Sequence, residues 1–332
     1  MSQTIFLTGV TGFIAKRIAL DLLEAGHTVT GSLRSMARAA EVQDAIRPHL
    51  TDPGALDRLS FTELDLTRDD GWPEALTGHD VLMHTASPFP MAQPKNEDDV
   101  IRPAVDGTLR ALKAAHAAGV TRVILTSSVV AIEANDKPNP KTPADWTDVT
   151  HPKANAYYKS KTLAERAAWD FVEETPVMKL TTINPALVLG APLDGNYGTS
   201  LSLIERVMGG KDPALPDLGF GAVDVADISA MHIAAMDRPE AIGNRYIGSA
   251  GSITMPEIAK HLKAKYPDRK IATATAPKFL LRVMSLFDPS IKSVLPGIGN
   301  TPEFDASATE RDLGLTFTPV NTAIDRAAAA IA

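Results

Sequence analysis

The feature that most constrains this chain is a glycine turn set between an apolar strand pattern and a helical one. Residues 8–15 read Thr8-Gly9-Val10-Thr11-Gly12-Phe13-Ile14-Ala15. Residues 5–8 before them form a short apolar run. Residues 13–24 after them carry Ile14, Ile18, Leu22 and Leu23 near helical spacing and stop before Gly26. Glycine allows a sharp turn that a Cβ would obstruct. A helix starting there presents unbonded N–H groups and a partial positive charge to a pyrophosphate. The placement predicts a dinucleotide cradle, with Thr8, Gly9, Thr11, Gly12, Phe13 and Ile14 at the cofactor and Ala15 allowing close helix–strand packing. A turn that needs glycine for geometry alone is the other reading of these residues taken by themselves.

The strand–helix alternation continues. Residues 27–33, 60–66, 81–85, 122–127 and 179–184 read as strands, and residues 100–118 and 156–174 as helices. Such alternation implies right-handed βαβ units and an α/β fold, a Rossmann-type doubly wound parallel sheet. Residues 135–155 read as a surface loop. The texture changes near Pro185: residues 190–221 are rich in Gly and Pro, with one helical piece at 201–208. A seventh strand is expected at 243–248 and a helix at 254–265. We expect a cofactor-binding domain over residues 1–185, with a returning segment near 222–248. Residues 186–332 are then mainly a smaller C-terminal substrate-binding domain, a division that 332 residues allow.

An NAD site usually carries Asp or Glu where the second strand ends, for the ribose hydroxyls. Here the stretch is Gly31-Ser32-Leu33-Arg34-Ser35-Met36-Ala37-Arg38, without an acid. Arg34 and Arg38, four residues apart, suit a phosphate and favour NADP over NAD; two solvated surface arginines are the alternative. Asp65 and Leu66, at the end of the third strand, are candidates for the adenine edge.

Tyr157 and Lys161 share a helix face at i,i+4. A free tyrosine titrates too high for proton transfer near neutrality, and a nearby ammonium stabilises tyrosinate. The same lysine can bond a nicotinamide ribose. A hydroxyl from Thr126-Ser127-Ser128, at the carboxyl edge of the sheet, could orient a carbonyl. The Tyr/Lys spacing alone is common on amphipathic helices. The ordered set of glycine turn, basic strand end, Ser128, Tyr157 and Lys161 is what gives it weight.

Composition narrows the chemistry further. The chain has no cysteine, which removes thiolate nucleophiles, disulfides and iron–sulfur clusters. Its eight histidines are scattered, so a metal-independent protein is expected. With 33 basic against 40 acidic residues the net charge is −7, which argues against nucleic acid. No run approaches a membrane span, and no signal peptide opens the chain, so a cytoplasmic protein without a membrane partner is expected.

These residues together resemble the extended short-chain dehydrogenase/reductases. The resemblance is nearest to the branch of dihydroflavonol 4-reductase, cinnamoyl-CoA reductase and the yeast methylglyoxal/isovaleraldehyde-type reductases. It rests on residues 8–15, the Arg34 region, His84-Thr85-Ala86-Ser87-Pro88-Phe89, and residues 103–108, 125–128, 156–169 and 184–190. Asp305-Ala306-Ser307 and Leu313-Gly314-Leu315 extend it to the end of the chain. UDP-sugar members tend to carry Tyr-Gly shortly after the serine, where this chain has Val129-Val130-Ala131-Ile132.

The resemblance implies an NADPH-dependent carbonyl reductase acting on a small carbonyl or alcohol. Ser128 would bond the carbonyl oxygen, and Tyr157 would act as acid in reduction and base in oxidation. Lys161 would lower the Tyr157 pKa and hold the ribose. Thr85, Ala86, Ser87, Thr126 and Ser200 would line the cofactor, with Pro185 and Val188 by the nicotinamide. Phe89, Val129 and Tyr197 would face the substrate. Many members place Asn where Ala104 stands, and Val129 is smaller than the aromatic residue some carry. Competing readings are an NAD-dependent nucleotide-sugar epimerase or dehydratase and a non-catalytic NADP-sensing protein. Monomer and homodimer are both open.

His84, His232, Trp146 and Trp169 read as packing residues, and Asp98-Asp99 as a helix start. Residues 279–287 form an apolar helix, for core or dimer packing or for a lid over the substrate.

Overall fold

The computed structural model describes residues 2–87, 94, 96–286 and 295–331. Its strands are β1 (Thr4–Thr8), β2 (Thr28–Leu33), β3 (Leu59–Glu63), β4 (Val81–His84), β5 (Arg122–Thr126), β6 (Lys179–Pro185), β7 (Leu187–Leu189), β8 (Gly219–Asp224), β9 (Arg245–Gly248) and β10 (Gly251–Thr254). Seven of them form one sheet in the order β3-β2-β1-β4-β5-β6-β9. Every neighbouring pair in it is parallel. This is the expected Rossmann-type sheet. Its strand order reverses between β1 and β4, where a crevice opens beyond the carboxyl ends.

Alternation along each strand divides the core between two faces. Ile5, Leu7, Val29, Met83 and Ile124 point to one side. There they meet α1 (Phe13–Glu24), α2 (Ala39–Ile46) and α7 (Val225–Asp237). Phe6, Leu82, Val123, Leu125 and Leu180 point to the other side. That side is covered by α3 (Trp72–Leu76), α4 (Asp98–Ala117) and α5 (Ala156–Glu174). Burial on both faces is why these strands read as nearly continuous apolar runs.

Acidic residues or side-chain caps mark several helix starts. Asp98 and Asp99 lie in the first turn of α4. The Asn155 side chain accepts from the N–H groups of Tyr157 and Tyr158 at 3.0 and 3.2 Å, which fixes the start of α5. Thr254 and Glu257 form a capping box at α8 (Met255–Lys265).

Several elements differ from the sequence expectation. β3 ends at Glu63, so Asp65 and Leu66 lie in the turn beyond it. Residues 190–221 hold more than loops and α6 (Ser202–Gly209): β8 begins there and joins β7 and β10 in a second, three-stranded sheet. Strand β7 has three residues, and β8 contains two glycines, so neither presents a clear strand pattern. The helices at Ala39–Ile46, Trp72–Leu76, Ser307–Leu313 and Val320–Ile331 were also not anticipated.

The apolar helix forms at Lys278–Met284, with Phe279 and Leu286 exposed at 70% and 78%. Phe287 lies outside the described residues. Among the described residues no helix is long and apolar enough to cross a membrane, and no acidic–histidine group could hold a metal ion.

Candidate active site

The glycine turn forms as a close approach between two strand ends. Gly9 has φ +68°, and a Cβ there would lie 3.0 Å from the Ala86 Cβ. The Gly9 N–H donates to Ser32 Oγ at 3.2 Å, and the Gly12 N–H to Gly9 O at 2.9 Å. Gly12 is the N-cap of α1, which starts without a side-chain cap. The first turn of α1 can therefore receive an anion, and the bare backbone at Gly9 and Gly12 leaves room for one. These residues fit a dinucleotide pyrophosphate.

Thr8 ties the turn to the next segment. Its Oγ1 accepts from the N–H groups of Thr85 and Ala86, both at 3.0 Å. Its own proton must then go to His84 Nδ1, 2.9 Å away, which puts the His84 proton on Nε2. His84 is buried, and that pushes its pKa down to about 3, with the Lys161 charge adding to the effect. It packs as expected but incompletely: Nε2 has no partner among the described residues. Ser87 follows, half-buried, while Phe89 lies outside the described residues.

The two arginines stand in different settings. Arg34 stands exposed at the end of β2. Arg38 gives its fork to Glu41, with Nε and Nη2 each donating at 2.9 Å, and its Nη1 is 3.4 Å from Thr11 Oγ1. Asp65 accepts from the Thr67 N–H at 2.8 Å, and that bond is the main reason its carboxyl is held low. Leu66 packs against Gly107 of α4.

Ser128 and Tyr157 meet. Ser128 follows β5, is buried, and hydrogen-bonds the Tyr157 phenol. Its Oγ lies 3.5 Å from Pro185 O, at the end of β6. Lys161 is one turn further along α5. Their titration departs from the sequence expectation. Burial pushes the Tyr157 phenol above its ordinary value, Ser128 pulls it back and Glu133 adds to the rise. Lys161 is pulled down to about 8 by burial, with Glu165 opposing. Tyrosinate is thus not the form favoured here; the phenol holds its proton at neutrality.

Neighbouring side chains point elsewhere. Lys159 donates to Glu97 at 2.6 Å and Tyr158 donates to Glu133. The Glu133 carboxyl is pushed up by burial. Thr126 turns its hydroxyl to His232 Nε2 at 2.7 Å, while His232 Nδ1 donates to Ile228 O at 2.8 Å. Val129 is buried in a small apolar cluster with Ile132, Ala186 and Ile247. Val188 is likewise in the core, and Tyr197 packs on the second sheet's core. Ser200 is half-buried in the turn before α6.

A buried network behind Ser128 escaped the sequence reading. Glu165, fully enclosed on α5, accepts from Ser127 Oγ at 2.5 Å, Asn184 Nδ2 at 2.8 Å, Thr182 Oγ1 at 3.1 Å and Arg245 Nε at 2.7 Å. Asn184 Nδ2 also reaches Ser128 O at 3.2 Å. Arg245 stacks on Trp146, 3.7 Å from the ring centre. The available signal was Glu165 at i,i+4 from Lys161.

The chain belongs to the NAD dependent epimerase/dehydratase family, which matches residues 5–247; this is the extended short-chain dehydrogenase/reductase class. An anthocyanidin reductase of Vitis vinifera is 32% identical over 82% of this chain and 83% of that protein. Cinnamoyl-CoA reductase 1 of Petunia hybrida is 32% identical over 96% and 89%. The crystal structure of yeast methylglyoxal/isovaleraldehyde reductase complexed with NADPH superposes with a TM-score of 0.82 at 27% identity, covering 99% of this chain and 98% of that one.

Proposed function

We propose that this protein is an NADPH-dependent carbonyl reductase that uses Ser128, Tyr157 and Lys161. The observation that carries the reading is the Ser128–Tyr157 hydrogen bond on a helix whose next turn presents Lys161, beside a glycine turn fit for a dinucleotide. The named activities of the relatives support the same reaction class and cofactor. In this reading the larger sheet holds the cofactor and residues 186–332 chiefly choose the substrate.

When bound at the glycine turn, NADPH supplies a hydride to the carbonyl carbon. Ser128 Oγ donates a hydrogen bond to the carbonyl oxygen and fixes its direction. Tyr157 gives its phenolic proton to that oxygen as the alcohol forms. The raised Tyr157 pKa suits this direction, because the proton is present at neutral pH. Lys161, as the ammonium, stabilises the negative charge left on the phenol and orients the ribose.

Purified protein given NADPH and a panel of aldehydes, α-dicarbonyls and keto esters should lose nicotinamide absorbance only when substrate is present. Absence of turnover across the panel, with NADPH still bound, would favour a sensing role instead.

The pH dependence has a definite sign. Lys161 is an ammonium below about 8 and neutral above it. Reduction is therefore flat through neutrality and declines as pH rises through about 8, before Tyr157 titrates. A rate that rises across that interval contradicts the assignment of Lys161.

Arg34→Glu tests the phosphate side. It should weaken NADPH binding at least about tenfold more than NADH binding, since attraction to the 2′-phosphate becomes repulsion. Equal losses for both would remove Arg34 from phosphate recognition.

A further inference from the structure

The charges over the glycine turn form a closed set that the proposed chemistry does not use. The Arg38 fork lies beside Thr11 and is filled by the Glu41 carboxylate in a bidentate pair. Glu41 also accepts from Asn196 Nδ2 at 3.0 Å and lies 3.8 Å from Lys16 Nζ. Lys16, buried in α1, pairs with Asp194 and donates to Asn196 O at 3.4 Å. Asn196 Nδ2 reaches Thr11 O at 3.4 Å. A guanidinium fork binds carboxylate and phosphate with the same two parallel bonds, so the two anions compete for the Nε–Nη2 edge that Glu41 occupies.

We propose that Glu41 is a specificity-determining residue whose carboxylate stands in for the ribose 2′-phosphate on Arg38, so that NADPH binds by displacing it. The inference rests on the NADPH reading above. Glu41 lowers affinity only for ligands that carry the 2′-phosphate, and thereby sets the margin between NADPH and NADH. Because Asn196 shares Glu41 as its acceptor, displacement also releases residue 196 from α2. Lys16 and Asp194 keep the segment anchored to α1 meanwhile.

Calorimetric titration with 2′,5′-ADP and 5′-AMP tests this without catalysis, since neither carries a nicotinamide. Wild type should bind 2′,5′-ADP the more tightly. Glu41→Gln should tighten 2′,5′-ADP by about fivefold, the upper range for one partly exposed charge, and move 5′-AMP by less than about twofold. Arg38→Ala should abolish most of the preference, and Glu41→Gln should then add nothing in that background. Unchanged or weakened 2′,5′-ADP binding in Glu41→Gln overturns the inference, as does the same gain in the Arg38→Ala background. Absence of a 2′,5′-ADP preference in wild type overturns the NADPH reading along with it.

Discussion

Tyr157→Phe is expected to lower the rate of carbonyl reduction by about 10²–10⁴-fold, the contribution typical of a positioned general acid. The substitution removes one oxygen and its proton. Lys161, one turn away on α5, remains to orient the ribose, and the glycine turn is untouched. Affinity for NADPH should therefore stay within about twofold of wild type, a difference well under one kcal/mol. Steady-state rates and a binding titration on the same preparation separate the two effects. A variant that keeps its rate within about tenfold would show that the proton comes from elsewhere. Glu133, whose carboxyl burial pushes up, would then be the next group to replace.

Glu165→Ala should be the most destabilising single change near the site. The carboxylate is fully enclosed, its partner Arg245 is 9% exposed at the side chain, and four side chains donate to it at 3.1 Å or less. Removing it strands a buried guanidinium and leaves Ser127, Thr182 and Asn184 without that acceptor. Breaking a buried pair by deleting one partner costs about 3–5 kcal/mol. The midpoint of urea unfolding reads this directly, and a loss below about 1 kcal/mol would put the network outside the folding core.

The milder Glu165→Gln has a second, chemical signature. It removes the anion that opposes desolvation of Lys161, so the Lys161 pKa should fall below its present value of about 8. The alkaline decline in reduction then moves to lower pH. A purely structural glutamate would leave that decline in place.

Much of the cofactor side was legible because backbone geometry and residue type coincide there. Gly9 and Gly12 sit at a positive-φ turn and an uncapped helix start, positions where glycine has a physical reason. Helices α1 and α5 have the predicted limits: apolar spacing between Gly12 and Gly26 bounds α1, and the Asn155 cap fixes the start of α5. The order of elements singled out Ser128, after the end of a strand, and Tyr157, at the start of a helix, and the fold brings them together.

What was not legible depends on contacts distant in sequence. Arg38 and Glu41 are three apart and their pairing was readable, yet Asn196 joins them from 155 residues away. Glu165 and Arg245 are separated by 80 residues, and nothing local marks them as partners. The hydroxyl of Thr126 turns from the expected cofactor to His232 because α7 packs under β5. The direction of the Tyr157 shift was also out of reach: proximity to a cation argued for lowering, whereas burial beside Ser128 and Glu133 decides it. The second sheet stayed hidden because β7 has only three residues and its partners β8 and β10 carry glycines.

The central claim is that hydride passes from NADPH to a carbonyl carbon while Tyr157 protonates the oxygen. It is tested most directly with NADPH deuterated at the transferring carbon of the nicotinamide ring, incubated with the best substrate of the carbonyl panel. Deuterium is expected on the carbinol carbon of the alcohol product, delivered to one face, with no label transferred by Tyr157→Phe on the same timescale. An alcohol product without deuterium, or equal labelling by the Tyr157→Phe variant, would contradict it.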